Sequence, residues 1–244
     1  MSTKKRQFTV GGVYHIFNRG VDKREIFLNS QDYSRFILGL YYFNDKNPSD
    51  IWTDLLSPQK EYQKKKVANS INPFDKEDRE PIVELLAFTL MPNHYHLIVK
   101  ETQEGGVQKF MQKLGAGYSI YFNKQNERTG SLFEGRYKCV PISTDTQLSN
   151  SFVYVHTNPV ELKDPQWKQF KVKNYKTAVA WVQDYPWSSY RDYIGITTYP
   201  EVTNRNFFTE FYMGKEGCVT AVKDWIKFKA ENAELDRRVA KFRA

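Results

Sequence analysis

The strongest constraint on this fold is a pair of apolar runs, Val83 to Leu90 and His94 to Lys100, joined by Met91-Pro92-Asn93. Two such runs around a Pro-Asn turn signal predict an antiparallel hairpin. A strand sends alternate side chains to one face, so His94 and His96 point together while Tyr95 and Leu97 enter the opposite layer. The chain has only four histidines in 244 residues, and two imidazoles side by side on a strand are the beginning of a metal site.

The flanking segments extend this hairpin into a domain. Phe8 to Asn18 reads as a strand ending at Arg19-Gly20, and Ser30 can cap a helix from Gln31 to about Phe43. Residues 44–81 differ in character, with Pro48, Pro58, Pro73 and Pro81 and a charged stretch from Lys60 to Lys66; they read as an insertion with one short helix. Gly105-Gly106 opens a long helix whose stripe Val107, Phe110, Met111, Leu114, Tyr118, Tyr121 and Phe122 follows the helical period, which assigns its tyrosines to the core. Arg128-Thr129-Gly130 turns into a strand from Leu132 to Ile142. Thr144 with Gln147 fits a capping box, and Pro159 ends the helix that follows near Asn158. The order predicts an α+β fold, with helices packed against one antiparallel sheet.

Forty per cent hydrophobic residues suffice for a packed core, and the net charge of +8 points to a polyanionic partner. Basic residues recur beside polar or aromatic ones in Lys4-Lys5-Arg6, Lys64-Lys65-Lys66, Arg136-Tyr137-Lys138 and from Lys223 to Arg243. Cys139 and Cys218 are too few and too far apart for a disulfide framework or a thiolate zinc site. No apolar run approaches the roughly 18 residues of a membrane span, and Met-Ser-Thr-Lys-Lys-Arg is not followed by a signal-type apolar region. A cytoplasmic protein without a membrane partner is expected.

The chemistry converges on one helix and one strand. Tyr154 and Asn158 are four residues apart and share a helix face. If that face lies over the histidine strand, Asn158 can add a metal ligand and Tyr154 becomes a phenol nucleophile toward a phosphodiester, leaving a covalent phosphotyrosine. Tyr118 and Tyr121 are the competing nucleophiles, disfavoured by their apolar stripe. His15 and His156 are assigned hydrogen-bonded structural roles. Arg19, Lys23, Arg24, Arg128, Arg136 and Lys138 lie in polar, turn-rich segments and are candidate phosphate contacts. Tyr137 alternates with its basic neighbours and faces away from them.

The strings Tyr14-His15-Ile16-Phe17-Asn18-Arg19-Gly20, Met91-Pro92-Asn93-His94-Tyr95-His96, Gly130 to Lys138 (GSLFEGRYK), Tyr154-Val155-His156-Thr157-Asn158-Pro159-Val160 and Trp187-Ser188-Ser189-Tyr190 resemble, in order, the signatures of REP-associated tyrosine transposases. These are single-tyrosine members of the HUH superfamily, related to IS200-like transposases. The resemblance covers about Val13 to Gly195, interrupted by the insertion. It implies a catalytic domain over 1–195 with a ferredoxin-like or RRM-like antiparallel sheet carrying helices on one face, and a basic, mainly helical extension over 196–244. It implies that His94, His96 and Asn158 bind Mg²⁺ or Mn²⁺ and that Tyr154 cleaves single-stranded DNA, leaving a 5′-phosphotyrosine and a free 3′-hydroxyl. Hairpin-forming strands such as repetitive extragenic palindromes (REP) are the implied substrate. Monomer and homodimer both stay open, as does whether the tyrosine acts in cis or in trans. Two other functions compete. One is a replication initiator or relaxase, for which no Gly-rich phosphate loop of a helicase is present; the other is a binding module on the same fold that regulates without cleaving.

Overall fold

A computed structural model describes residues 8–47, 74, 79–169, 172 and 174–242, with side chains placed as far as residue 231 apart from that of Lys168. Most of the 44–81 insertion, including its expected short helix, lies outside the described residues.

Four strands form one antiparallel sheet: β1 (Val13–Arg19), β2 (Val83–Met91), β3 (His94–Glu101) and β4 (Lys138–Ile142), in the order β2-β3-β1-β4. Helices α1 (Ser30–Tyr42) and α2 (Gly106–Gln125) fall between β1 and β2 and between β3 and β4. That succession is the βαββαβ ferredoxin-like arrangement. The hairpin closes at Pro92-Asn93, with Met91 opposite His94 and Thr89 opposite His96.

Alternation along the central strands divides the core in two. Tyr14, Ile16, Tyr95, Leu97 and Val99 pack with Phe36 and Leu40 of α1 and with Phe110 and Leu114 of α2. The expectation of helices on one face holds for these two. It is corrected for the rest of the chain, because the opposite face carries Ala87 and Ile98, which must also be buried. They are covered by α3 (Asp145–Thr157), α4 (Tyr175–Asp184), α5 (Tyr190–Tyr193), α6 (Asn206–Phe211) and α7 (Lys215–Phe242). Phe208, Cys218, Val222 and Ile226 of the tail join Phe152 of α3 in this second core, so the tail is continuous with the domain that precedes it.

Three boundaries differ from the sequence reading. Strand β1 begins at Val13, because Gly11 at φ +84° turns the chain before it. Helix α1 is capped one residue earlier than expected: the Asn29 side chain accepts the Asp32 N–H (3.1 Å), and the Asp32 carboxylate accepts the Leu28 N–H (2.8 Å). The strand predicted from Leu132 starts only at Lys138, because Gly135 at φ +153° breaks the extended backbone. Residues 131–137 instead fold over the end of β1, with the Glu134 N–H donating to Arg19 O (2.9 Å) and the Asn18 amide donating to Gly135 O (3.0 Å).

The Trp187-Ser188-Ser189-Tyr190 string closes the open edge of β2. The Leu90 N–H donates to Trp187 O (2.9 Å), the Ser189 N–H to Phe88 O (3.0 Å) and the Phe88 N–H to Ser189 Oγ (2.9 Å). The hydroxyls of Tyr185 and Tyr193 donate to Leu90 O and Leu86 O, each at 2.6 Å. An edge strand with its polar groups bonded in this way is no longer a template for another strand.

Ser189 Oγ also lies 2.9 Å from Nε2 of His156, a fully buried α3 residue whose pKa burial lowers to about 3. The unfolded chain, with an ordinary histidine near pH 6.5, therefore binds more protons than the folded one between those values. Stability rises with pH across that window and is lost as pH falls below about 6.5. Going from pH 7 to pH 5 should cost about 2 kcal/mol through this residue. Urea denaturation at both pH values, on wild type and His156→Gln, checks it; an equally steep pH dependence in the variant would exclude His156 as the source.

Candidate active site

Strand alternation and strand register build the site. On the face opposite α1 and α2, His94 and His96 follow each other along β3, and Arg19 and Phe17 of β1 stand directly across from them. His15, the next residue of β1 on that face, pairs in register with Ile98 yet reaches diagonally to His96, with its Nε2 2.9 Å from His96 Nδ1 and the rings stacked at 5.0 Å. The His94 and His96 rings meet edge to face at 5.0 Å.

Helix α3 brings Tyr154 to this cluster. Thr144 Oγ1 accepts the Gln147 N–H (3.2 Å) and the Gln147 side chain accepts the Ser143 N–H (2.8 Å), so the expected capping residues do start the helix. Phe152, Val155 and His156 point into the second core, which leaves Tyr154 on the outer side of the helix, 38% exposed. Its ring packs edge-on against His96 (5.3 Å) and His15 (5.7 Å) of the same chain.

Tyr154, His94 and His96 line one open cavity of about 810 Å³. Of the expected phosphate contacts, Arg19, Lys23, Arg136 and Lys138 line it as well. Arg24 and Arg128 do not. Arg24 turns back to Val21 O (3.2 Å), and Arg128 binds Asn123 Oδ1 (2.6 Å) and Ser131 O (3.2 Å), bracing the turn after α2. Tyr137, as alternation predicts, packs toward the first core.

Asn158 is placed differently from the other expected ligands. It is 2% exposed, its amide nitrogen donates to Tyr154 O (2.8 Å), and it is absent from the cavity wall. The chain tightens there into a 3₁₀ turn, Asn158–Leu162, with Pro159 lacking an N–H, and the Asn158 amide bonds a carbonyl of the last helical turn. Glu161 and Leu162, one turn on, reach the cavity instead.

Sequence reasoning missed three carboxylates at the cavity: Glu25, Glu134 and Glu161. Glu134 accepts a 2.8 Å bond from Arg19 Nε, and this bond is the main cause holding its carboxyl below the usual range. Its position inside the GSLFEGRYK string was the available signal. Burial lowers the His15 pKa to about 4, which keeps that ring neutral at physiological pH.

The donor chemistry fits a divalent cation. Two imidazoles on one strand face, opening on a cavity, can supply nitrogen ligands while leaving positions for further oxygen ligands. Among the described residues no group of three or more His, Cys, Asp or Glu side chains is placed to hold a metal.

Residues 60–158, which span the histidine hairpin and end at the Tyr154 helix, match the family described as IS200-like transposases. The match covers less than half of the chain. Among solved structures it is similar to a REP-associated tyrosine transposase bound to a REP hairpin, at 16% identity and a TM-score of 0.45, over 82% of this chain and 90% of that one. No curated protein matches the chain. Among the described residues, no helix is long and apolar enough to cross a membrane.

Proposed function

We propose that this chain is a metal-dependent nuclease and strand transferase for hairpin-forming single-stranded DNA, with Tyr154 as nucleophile. The observation that carries the reading is the edge-on packing of Tyr154 against His96, at 5.3 Å, in a cavity also lined by His94 and basic side chains. Hairpin DNA is inferred from what the REP-associated transposase holds in its structure.

Arg19, Lys23, Arg136 and Lys138 bind the phosphates on either side of the scissile one. His94 and His96 would hold Mg²⁺ or Mn²⁺, which would supply positive charge to offset that of the scissile phosphate. Four basic side chains face three carboxylates in the cavity, a near-balance that a divalent cation held by His94 and His96 would tip toward an anionic strand.

The Tyr154 oxygen attacks phosphorus and the bond from phosphorus to O3′ breaks. The phenol proton passes to solvent and the departing oxygen takes one up, which leaves a 3′-hydroxyl and a 5′-phosphate ester on Tyr154. Attack of another 3′-hydroxyl on that ester releases the tyrosine and joins the strands. One phosphoester replaces another at each step, so no nucleotide cofactor is needed. Asn158, through its bond to the Tyr154 carbonyl, supports the turn that presents the nucleophile.

Incubating the protein with labelled hairpins and Mn²⁺, then resolving the products under denaturing conditions, tests this. A protein–DNA adduct that disappears with chelator is expected. Hairpin binding with no adduct under any metal condition would favour a regulator that does not cleave.

A further inference from the structure

His15 stands behind the histidine pair and outside the cavity wall, so neither the nucleophile nor the phosphate contacts account for it. Its Nε2 and His96 Nδ1 are 2.9 Å apart, a distance that requires one proton between them. Two arrangements satisfy that geometry. Either His15 donates and His96 carries its own proton on Nε2, or His96 donates from Nδ1 and carries its lone pair on Nε2.

The neighbouring ligand shows which arrangement the site is built for. Asn93 donates from its amide nitrogen to Lys23 O (3.2 Å), which turns its oxygen toward His94 Nδ1 at 2.6 Å. An amide oxygen can only accept, so His94 carries its proton on Nδ1 and its lone pair on Nε2. His15 bears the same relation to His96: a group behind the ring, bonded to Nδ1. A histidine can bind metal through Nε2 only when that nitrogen is unprotonated, and an acceptor at Nδ1 makes that tautomer the stable one.

We propose that His15 is a positioning residue that accepts the His96 Nδ1 proton and so fixes His96 in the tautomer and ring orientation that ligate through Nε2. This inference rests on the proposed metal site. The counterpart of Asn93 is thus supplied by a side chain 81 residues away on the neighbouring strand. The stacked His15 and His96 rings, both edge-on to Tyr154, also tie the ligand's orientation to that of the nucleophile.

Two readouts on the full chain test it: Mn²⁺ affinity by titration calorimetry, and ¹⁵N shifts of the His96 ring. Wild type should show His96 protonated on Nδ1 and should bind Mn²⁺. His15→Phe keeps a ring of similar size without an acceptor, and it should lose about 10- to 100-fold in Mn²⁺ affinity. His15→Gln places an amide oxygen near the lost Nε2 and should recover most of that loss. Mn²⁺ binding by His15→Phe equal to wild type, or a His96 ring protonated on Nε2 in wild type, would overturn the role of His15 while leaving the metal site standing. Absence of Mn²⁺ binding in wild type would overturn the metal site and the His15 role together.

Discussion

Tyr154→Phe is expected to bind hairpin DNA within about threefold of wild type and to form no covalent adduct, with strand cleavage reduced by more than about 10³-fold. The substitution removes only the oxygen. The ring that packs on His96 and His15 stays, and at 38% exposure the hydroxyl is not a support of the core. Binding and chemistry should therefore separate cleanly. Gel shift in the presence of Mn²⁺ measures the first, and denaturing electrophoresis of labelled hairpins the second. An adduct that persists in the variant would transfer the nucleophile to another residue and refute the proposed mechanism. Tyr118 and Tyr121 are poor substitutes. They are 2% and 5% exposed, Tyr118 donates to Ile26 O, Tyr121 donates to Asp32 Oδ1 (2.9 Å), and burial raises the pKa of both. An unreachable phenol that holds its proton more tightly than usual is a weak nucleophile.

The features legible in the sequence were those confined to one element. Alternation alone put His94 and His96 on one strand face, and Thr144, Gln147 and Pro159 bounded the helix of Tyr154. Which elements abut was legible only where motifs of a known family supplied the order. His15 and His96 are 81 residues apart, and their contact depends on the pairing of β1 with β3, which no spacing encodes. The Trp187-Ser188-Ser189-Tyr190 string, one of the motifs that carry the resemblance, serves as the bonded edge of β2, since serine hydroxyls can satisfy backbone groups. Asn158 shows the limit of helix-face reasoning: it keeps helical dihedrals one turn from Tyr154, but at the helix end its side chain turns back to the Tyr154 carbonyl and is buried.

Glu101, the last residue of β3, is fully buried, and its loss should damage stability more than any other change proposed above. Its two carboxylate oxygens accept N–H groups of the first turn of α2, Gly106 N at 3.1 Å, shared with Gln103 O at 3.0 Å, and Val107 N at 2.6 Å. A helix start leaves such donors without partners and carries partial positive charge, so a carboxylate there is bonded and electrostatically compensated at once. Gly106 is required by the same junction, because a Cβ at that position would lie 2.4 Å from Ile82 O. Glu101→Ala removes both acceptors and leaves the Val107 N–H unbonded, while the Gly106 N–H keeps its bond to Gln103 O (3.0 Å), at a cost of about 3 kcal/mol. For a chain of this size that lowers Tm by about 6–12 °C. Glu101→Gln keeps one acceptor oxygen and the side-chain volume, and should lose about half as much; the difference between the two variants isolates the charge from the shape. Thermal denaturation followed by circular dichroism gives both values. A Tm for Glu101→Ala within 2 °C of wild type would mean that water or a shift of the Gly105-Gly106 turn satisfies the α2 N-terminus without the carboxylate. Because α2 packs on the face of the sheet opposite His94 and His96, the expected damage is to folding of the whole domain, with Mn²⁺ affinity of the folded fraction unchanged.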